Sequence, residues 1–179
     1  MKRSFWIQLH LLLAAFFLPL MLMTPLSGTL YLLGFKGEQS VAEAFRVAGQ
    51  FPSELQMDEQ EAWVRARFAE QKLDFDFEYI RAGKGEWVFR PSSRVHYMAK
   101  QSEGEVIFSR LEPNLQKRLM EIHMGHGPQL MKKLQIGFGI ALILTALSGL
   151  YLAWGIANYR ARAAAAFGIG SVLILLCLI

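Results

Sequence analysis

The side chains best suited to chemistry in this 179-residue chain are four histidines: His10, His96, His123 and His126. A neutral imidazole nitrogen binds haem iron, copper or zinc, so where each ring sits decides what it can do. His10 lies in an otherwise apolar stretch, where an ionisable group is costly and points to function by default. The competing explanation places it at a membrane interface beside Lys2 and Arg3. His123 and His126 are three apart on a predicted helix, so they should project from one side. The alternative for them is a solvated pair just above a membrane face. His10, His123 and His126 are therefore the candidate cofactor-binding residues, whereas His96 alternates with Val95 and Tyr97 and should face water on a strand.

Other chemistries find little support. The single cysteine, Cys177, permits no intramolecular disulfide and no cysteine metal cluster. No Gly-x-Ser-x-Gly, His-Glu-x-x-His or phosphate-loop pattern occurs. Asp74, Asp76 and Glu78 line one face of a predicted strand, which reads as a solvated surface before it reads as a cation site.

The elements that must position the histidines are mostly apolar. Hydrophobic residues make up 53% of the chain and charged residues 19%, and the apolar excess falls in three runs. Phe5–Phe35, Leu134–Tyr159 and Ala163–Ile179 carry no Asp, Glu, Lys or Arg. About 20 apolar residues suffice to cross a bilayer core of about 30 Å, so the chain reads as a three-helix membrane protein. The spans are placed at 5–35, 134–157 and 163–179, joined by a central domain at 36–133 and a short loop at 158–162. The first run is too long, and too lacking in a small-residue cleavage pattern, for a signal peptide, so an uncleaved transmembrane helix is expected. Pro19 and Pro25 should kink it.

The net charge of +4 does not point to nucleic acid. Residues 36–133 hold fifteen basic and fifteen acidic side chains, and the excess comes from Lys2, Arg3, Arg160 and Arg162. Positive charge in short loops marks the cytoplasmic side, which puts the N-terminus inside and the central domain outside. Lys36, Lys132 and Lys133 flank the outer side and run against that pattern.

Within the central segment, Ser40–Gly49 places Val41, Ala44, Phe45 and Ala48 at helical spacing, with Ser40 and Glu43 as a capping box. A second helix is expected over Met57–Lys72. Strict acid–aromatic alternation from Asp74 to Tyr79 then predicts a strand, a turn at Ala82–Gly85, and strands at Glu86–Arg90, Arg94–Ala99 and Glu105–Leu111. Asn114–His126 returns to helical spacing, with Leu115, Leu119, Ile122 and His126 on one stripe. A helical layer on an antiparallel sheet makes this a small α+β domain. There is also an internal echo: Thr24-Pro25-Leu26-Ser27-Gly28 resembles Thr145-Ala146-Leu147-Ser148-Gly149. Ser27, Gly28, Ser148 and Gly149 are expected to allow close helix packing.

Three features give the chain a resemblance to the PepSY family of bacterial inner-membrane proteins with PepSY-associated transmembrane helices. They are His10 ahead of Leu26-Ser27-Gly28, the block Ile122-His123-Met124-Gly125-His126-Gly127 leading into Gly137-Phe138-Gly139 and Leu147-Ser148-Gly149-Leu150-Tyr151-Leu152, and the helix-then-hairpins insert between them. The resemblance covers most of residues 5–157. It implies three transmembrane helices with a small periplasmic α+β PepSY-like domain, in the inner membrane. It also implies help in periplasmic ferric or ferric-siderophore reduction and iron acquisition, with haem b on membrane histidines. If the chain is an enzyme, it is an oxidoreductase-like iron reductase component. The chain has fewer membrane helices and histidines than the larger family members. His10 and His126 should lie at opposite membrane faces, about 25–30 Å apart, so one monomer cannot bring both to one iron. A symmetric homodimer could pair each histidine with its copy. The alternative is a non-catalytic accessory or sensor subunit docked in a larger membrane complex.

Overall fold

The computed structural model describes residues 3–52, 54–83 and 85–179; Lys2 of the N-terminal charge cluster and Lys84 of the predicted turn lie outside them. The elements in order are α1 (Arg3–Leu32), β1 (Gln39–Ala48), α2 (Met57–Glu70), β2 (Tyr79–Gly83), β3 (Glu86–Arg90), β4 (His96–Ser102), β5 (Glu105–Pro113), α3 (Leu115–His123), α4 (Gln129–Trp154) and α5 (Ala157–Leu178). The chain divides into two compact units, one of Met1–Met21 with Ile136–Ile179 and one of Leu22–Gln135.

In the first unit, α1 runs antiparallel to α4. Trp6 meets Tyr151 with ring centroids 5.5 Å apart, and Phe17 meets Phe138 at 5.9 Å. The α4 residues that become buried, Phe138, Ala141, Thr145 and Ser148, recur every three or four positions and form one stripe. α5 buries none of its residues. Helical structure continues through Pro19 and Pro25, and also through residues 158–162, where the sequence suggested a loop; the chain breaks instead at Gly155–Ile156. All three long helices are apolar enough to cross a membrane.

The second unit is built on a five-stranded antiparallel sheet in the order β1-β5-β4-β3-β2. One sheet face packs on α2, whose Val64 and Phe68 are buried against Phe45, Phe77, Trp87, Phe89, Tyr97, Ala99, Val106 and Phe108. Phe45 stacks on Phe108 at 4.4 Å, and Phe68 stands edge-on to Phe45 at 5.3 Å. Each such ring removed from water contributes about 1.5–3 kcal/mol. α2 starts where the Gln56 N–H donates to Glu59 Oε2 at 3.0 Å. The β4–β5 hairpin turns at Glu103 and Gly104, whose φ values of 45° and 85° match the twist of the flanking strands.

Several elements differ from the sequence reading. The expected helix at Ser40–Gly49 is strand β1, and its pairing with β5 slips at Ala44. Val41 pairs with Leu111 and Phe45 with Phe108, three residues apart on β5, so this bulge puts residues four apart on opposite faces. That broken parity imitates helical spacing. Asp74–Phe77 joins no ladder, although Phe77 is buried, Phe75 packs on the core, and Asp76 turns out to pair with Arg65 at 3.1 Å. β4 begins at His96 rather than Arg94.

Candidate functional site

His10 sits on a seat made by α4. Ser148, 3% exposed, donates its hydroxyl hydrogen to the Thr145 carbonyl one turn back at 3.0 Å. His10 Nδ1 lies 3.1 Å from that same carbonyl and 3.0 Å from Ser148 Oγ. A carbonyl only accepts, so Nδ1 carries the hydrogen and Nε2 is left with a free lone pair. Gly149 provides the room: a Cβ there would lie 3.3 Å from His10 Cε1.

His123, the last residue of α3, sits on a seat of the same design in the other unit. Ser27, 4% exposed, donates to the Thr24 carbonyl at 3.0 Å, and His123 Nδ1 lies 2.8 Å from Ser27 Oγ. A Cβ on Gly28 would again lie 3.3 Å from the ring's Cε1. With the hydroxyl hydrogen directed to Thr24, the oxygen accepts from Nδ1–H. The two copies of the Thr-x-Leu-Ser-Gly echo are thus two imidazole seats, and close packing of small residues is what lets the rings in. Neither Nε2 has a hydrogen-bond partner among the described residues.

His126 does not share a helix face with His123. α3 ends in a Schellman turn, in which Gly125 N–H donates to the Ile122 carbonyl at 2.9 Å and His126 N–H to the Glu121 carbonyl at 2.8 Å. Gly125, with φ +75°, turns the chain there, so His126 lies beyond the helix. Leu115 likewise leaves the expected apolar stripe, being exposed, while Met120 and Glu121 are the buried residues of α3.

His126 joins a buried ionic network instead. Its Nδ1 lies 2.9 Å from Glu121 Oε2, and the same carboxylate receives Arg90 Nη1 at 3.1 Å, Lys117 Nζ at 3.1 Å and the Ser92 hydroxyl. Burial alone would raise the Glu121 pKa, but the hydrogen bonds from Ser92, Lys117 and His126 hold it at about 2. Burial pushes the His126 pKa down, against the pull of Glu121, and it does the same to His96. His96 is 4% exposed rather than facing water, because α3 lies over this sheet face; its Nδ1 donates to the Arg94 carbonyl at 2.9 Å. It lines a cavity of about 160 Å³ together with Arg90, Ser92, Lys117 and Glu121.

Sequence reasoning missed this network, although Lys117 and Glu121 have the spacing of a helical ion pair. It also missed that Glu78 accepts from the Gln129 N–H at 2.8 Å and so caps α4. Among the described residues, no three His, Cys, Asp or Glu side chains are grouped to hold a metal ion. Haem brings four equatorial nitrogens of its own and asks for only one or two imidazoles, which is what single seated rings offer. No family model, curated protein or solved structure matches the chain.

Proposed function

We propose that the chain is a PepSY-type protein of the bacterial inner membrane that assists ferric or ferric-siderophore reduction, with haem b held at His10 and His123. The observation that carries this reading is the repeated seat: two imidazoles, each fixed through Nδ1 by a Ser–Gly pair, each with Nε2 free. In metal-binding histidines the second ring nitrogen characteristically donates to an oxygen, which sets tautomer and orientation. α1, α4 and α5 span the membrane, consistent with their exposed apolar side chains such as Leu12, Phe16, Ile143 and Leu176. Lys2, Arg3, Arg160 and Arg162 support an orientation with the N-terminus in the cytoplasm and the sheet domain in the periplasm.

When bound, haem supplies one-electron carriage. His10 and His123 would hold the haem iron through Nε2, with Ser148 and Ser27 orienting the rings. Each seat offers one imidazole, so any further protein ligand would have to come from a second copy or a partner subunit. His126 retains a free Nε2 but belongs to the Glu121 network rather than to a seat.

The test is a dithionite-reduced minus oxidised visible spectrum of the detergent-purified protein, from cells supplied with haem precursor. Paired α and β bands of a b-type haem are expected, with His10→Ala and His123→Ala each removing part of the signal. A flat spectrum from folded protein overturns the reading. The second reading, a non-catalytic accessory or sensor subunit, is favoured by α5, which buries none of its residues and is free to dock in a larger membrane complex.

A further inference from the structure

We infer that Ser27 and Ser148 are positioning residues that fix the tautomer of His123 and His10, and that the two seats are unequal in how firmly they do so. The inference rests on the haem reading for its purpose, but its geometry stands without it. At His10 the Nδ1–H has two acceptors, the Thr145 carbonyl at 3.1 Å and Ser148 Oγ at 3.0 Å. A backbone carbonyl cannot be mutated away or turned into a donor, so the His10 ring keeps its hydrogen on Nδ1 even when the serine is lost. At His123 the one acceptor among the described residues is Ser27 Oγ at 2.8 Å. That hydroxyl is itself aligned by its donation to Thr24, so the tautomer of His123 depends on a single side chain.

The glycines complete the device. A Cβ added to either glycine would lie 3.3 Å from Cε1, so the edge of each ring lies against the helix backbone, with the serine oxygen beside the same edge. The ring is held along one edge, and Nε2 points away from it by the geometry of the imidazole. Loss of the Ser27 hydroxyl removes the hydrogen bond that distinguishes Nδ1 from Nε2 at this seat. The His123 ring then exchanges between tautomers, and part of the population carries its hydrogen on the atom that should ligate.

The experiment is side-chain nitrogen NMR of histidine-labelled full-length protein in detergent, prepared without haem. In the unmodified chain both His10 and His123 are expected as the Nδ1–H tautomer. Ser27→Ala should turn His123 into a mixture and leave His10 unchanged, Ser148→Ala should leave His10 as Nδ1–H, and Ser27→Thr should restore His123. In the haem-loaded protein, Ser27→Ala should raise the midpoint potential of one component, because the ligand loses the hydrogen bond that makes it more basic, while Ser148→Ala shifts it less. A hydrogen on Nε2 of His123 in the unmodified chain overturns the inference, and that observation needs no variant to fold. An unchanged His123 in Ser27→Ala overturns it too. A protein that shows the expected tautomers but no visible-region spectrum sustains the positioning role and sinks the haem reading alone.

Discussion

Replacing Glu121 by alanine should unfold the sheet domain more readily than any other single polar substitution in it. Arg90 is 4% exposed, and its guanidinium faces Glu121 at 3.1 Å. Removing the carboxylate leaves that charge buried and unpaired, at a cost of about 3–5 kcal/mol. Lys117 is more exposed and can turn its ammonium to water, so it adds little. The proton equilibrium gives an independent magnitude. A carboxyl held at about 2 instead of 4.5 stores about 3 kcal/mol at 1.36 kcal/mol per unit. Because the folded value is depressed, this stability is present above pH 4.5 and is lost as pH falls through about 2. The assay is thermal unfolding of the full chain in detergent at pH 7, followed by near-ultraviolet dichroism of the buried aromatic core. For a domain of this size, Glu121→Ala should lower Tm by at least about 12 °C. The pair Arg90→Met with Glu121→Leu, which removes both charges, should recover most of the loss. A single variant within about 1 kcal/mol of the unmodified protein would refute the reasoning, as would a double variant worse than the single.

His96 is buried and neutral, so the unfolded chain takes up a proton there before the folded one does. Stability should therefore fall as pH drops below about 6.5, and His96→Gln should flatten the Tm-against-pH curve below that point. His126 contributes in the same direction, so the flattening is partial until both are replaced. Gly28→Val and Gly149→Val each put a side chain where an imidazole edge lies. Each should remove part of the visible-region absorbance while the protein still reaches the membrane fraction. Asn114 caps α3 by accepting from the Lys117 N–H at 2.9 Å, and Asn114→Ala should cost about 1 kcal/mol in the same unfolding assay.

The long helices are legible in the sequence because lipid-length apolarity is a property of composition. Their ends are not. α4 begins five residues before the apolar run, at Gln129, because Glu78 from a distant loop caps it. The β3 strand and the β4–β5 hairpin follow from local alternation and turn chemistry, but β1 does not. Its bulge at Ala44 is fixed by pairing with β5, some sixty residues on, and no local pattern records that register. His96 failed for a related reason. Alternation assigns it a sheet face but cannot tell that α3 covers that face. The helical spacing of Asn114–His126 likewise does not record the Schellman turn, which Gly125 closes at φ +75° and which leaves His126 beyond the helix.

All four histidines have Nδ1 bound to an oxygen, so the bare presence of a hydrogen bond does not separate function from support. The acceptor separates only His126, which faces a carboxylate, from the other three, which face neutral oxygens. His126 faces a carboxylate that also holds Arg90 and Lys117, and His96 lines the cavity beside them. Beside those rings the Arg90–Glu121 pair joins α3 to β3. His10 and His123 face a neutral hydroxyl, with a carbonyl one turn behind it, on helices whose other side chains are largely apolar. A half-satisfied imidazole in such surroundings costs free energy unless its second nitrogen is used. The cost is incurred twice, on the same five-residue pattern, with partners 96 and 138 residues away in sequence. That repeated cost is the argument for the proposed ligation through Nε2 at the two seats.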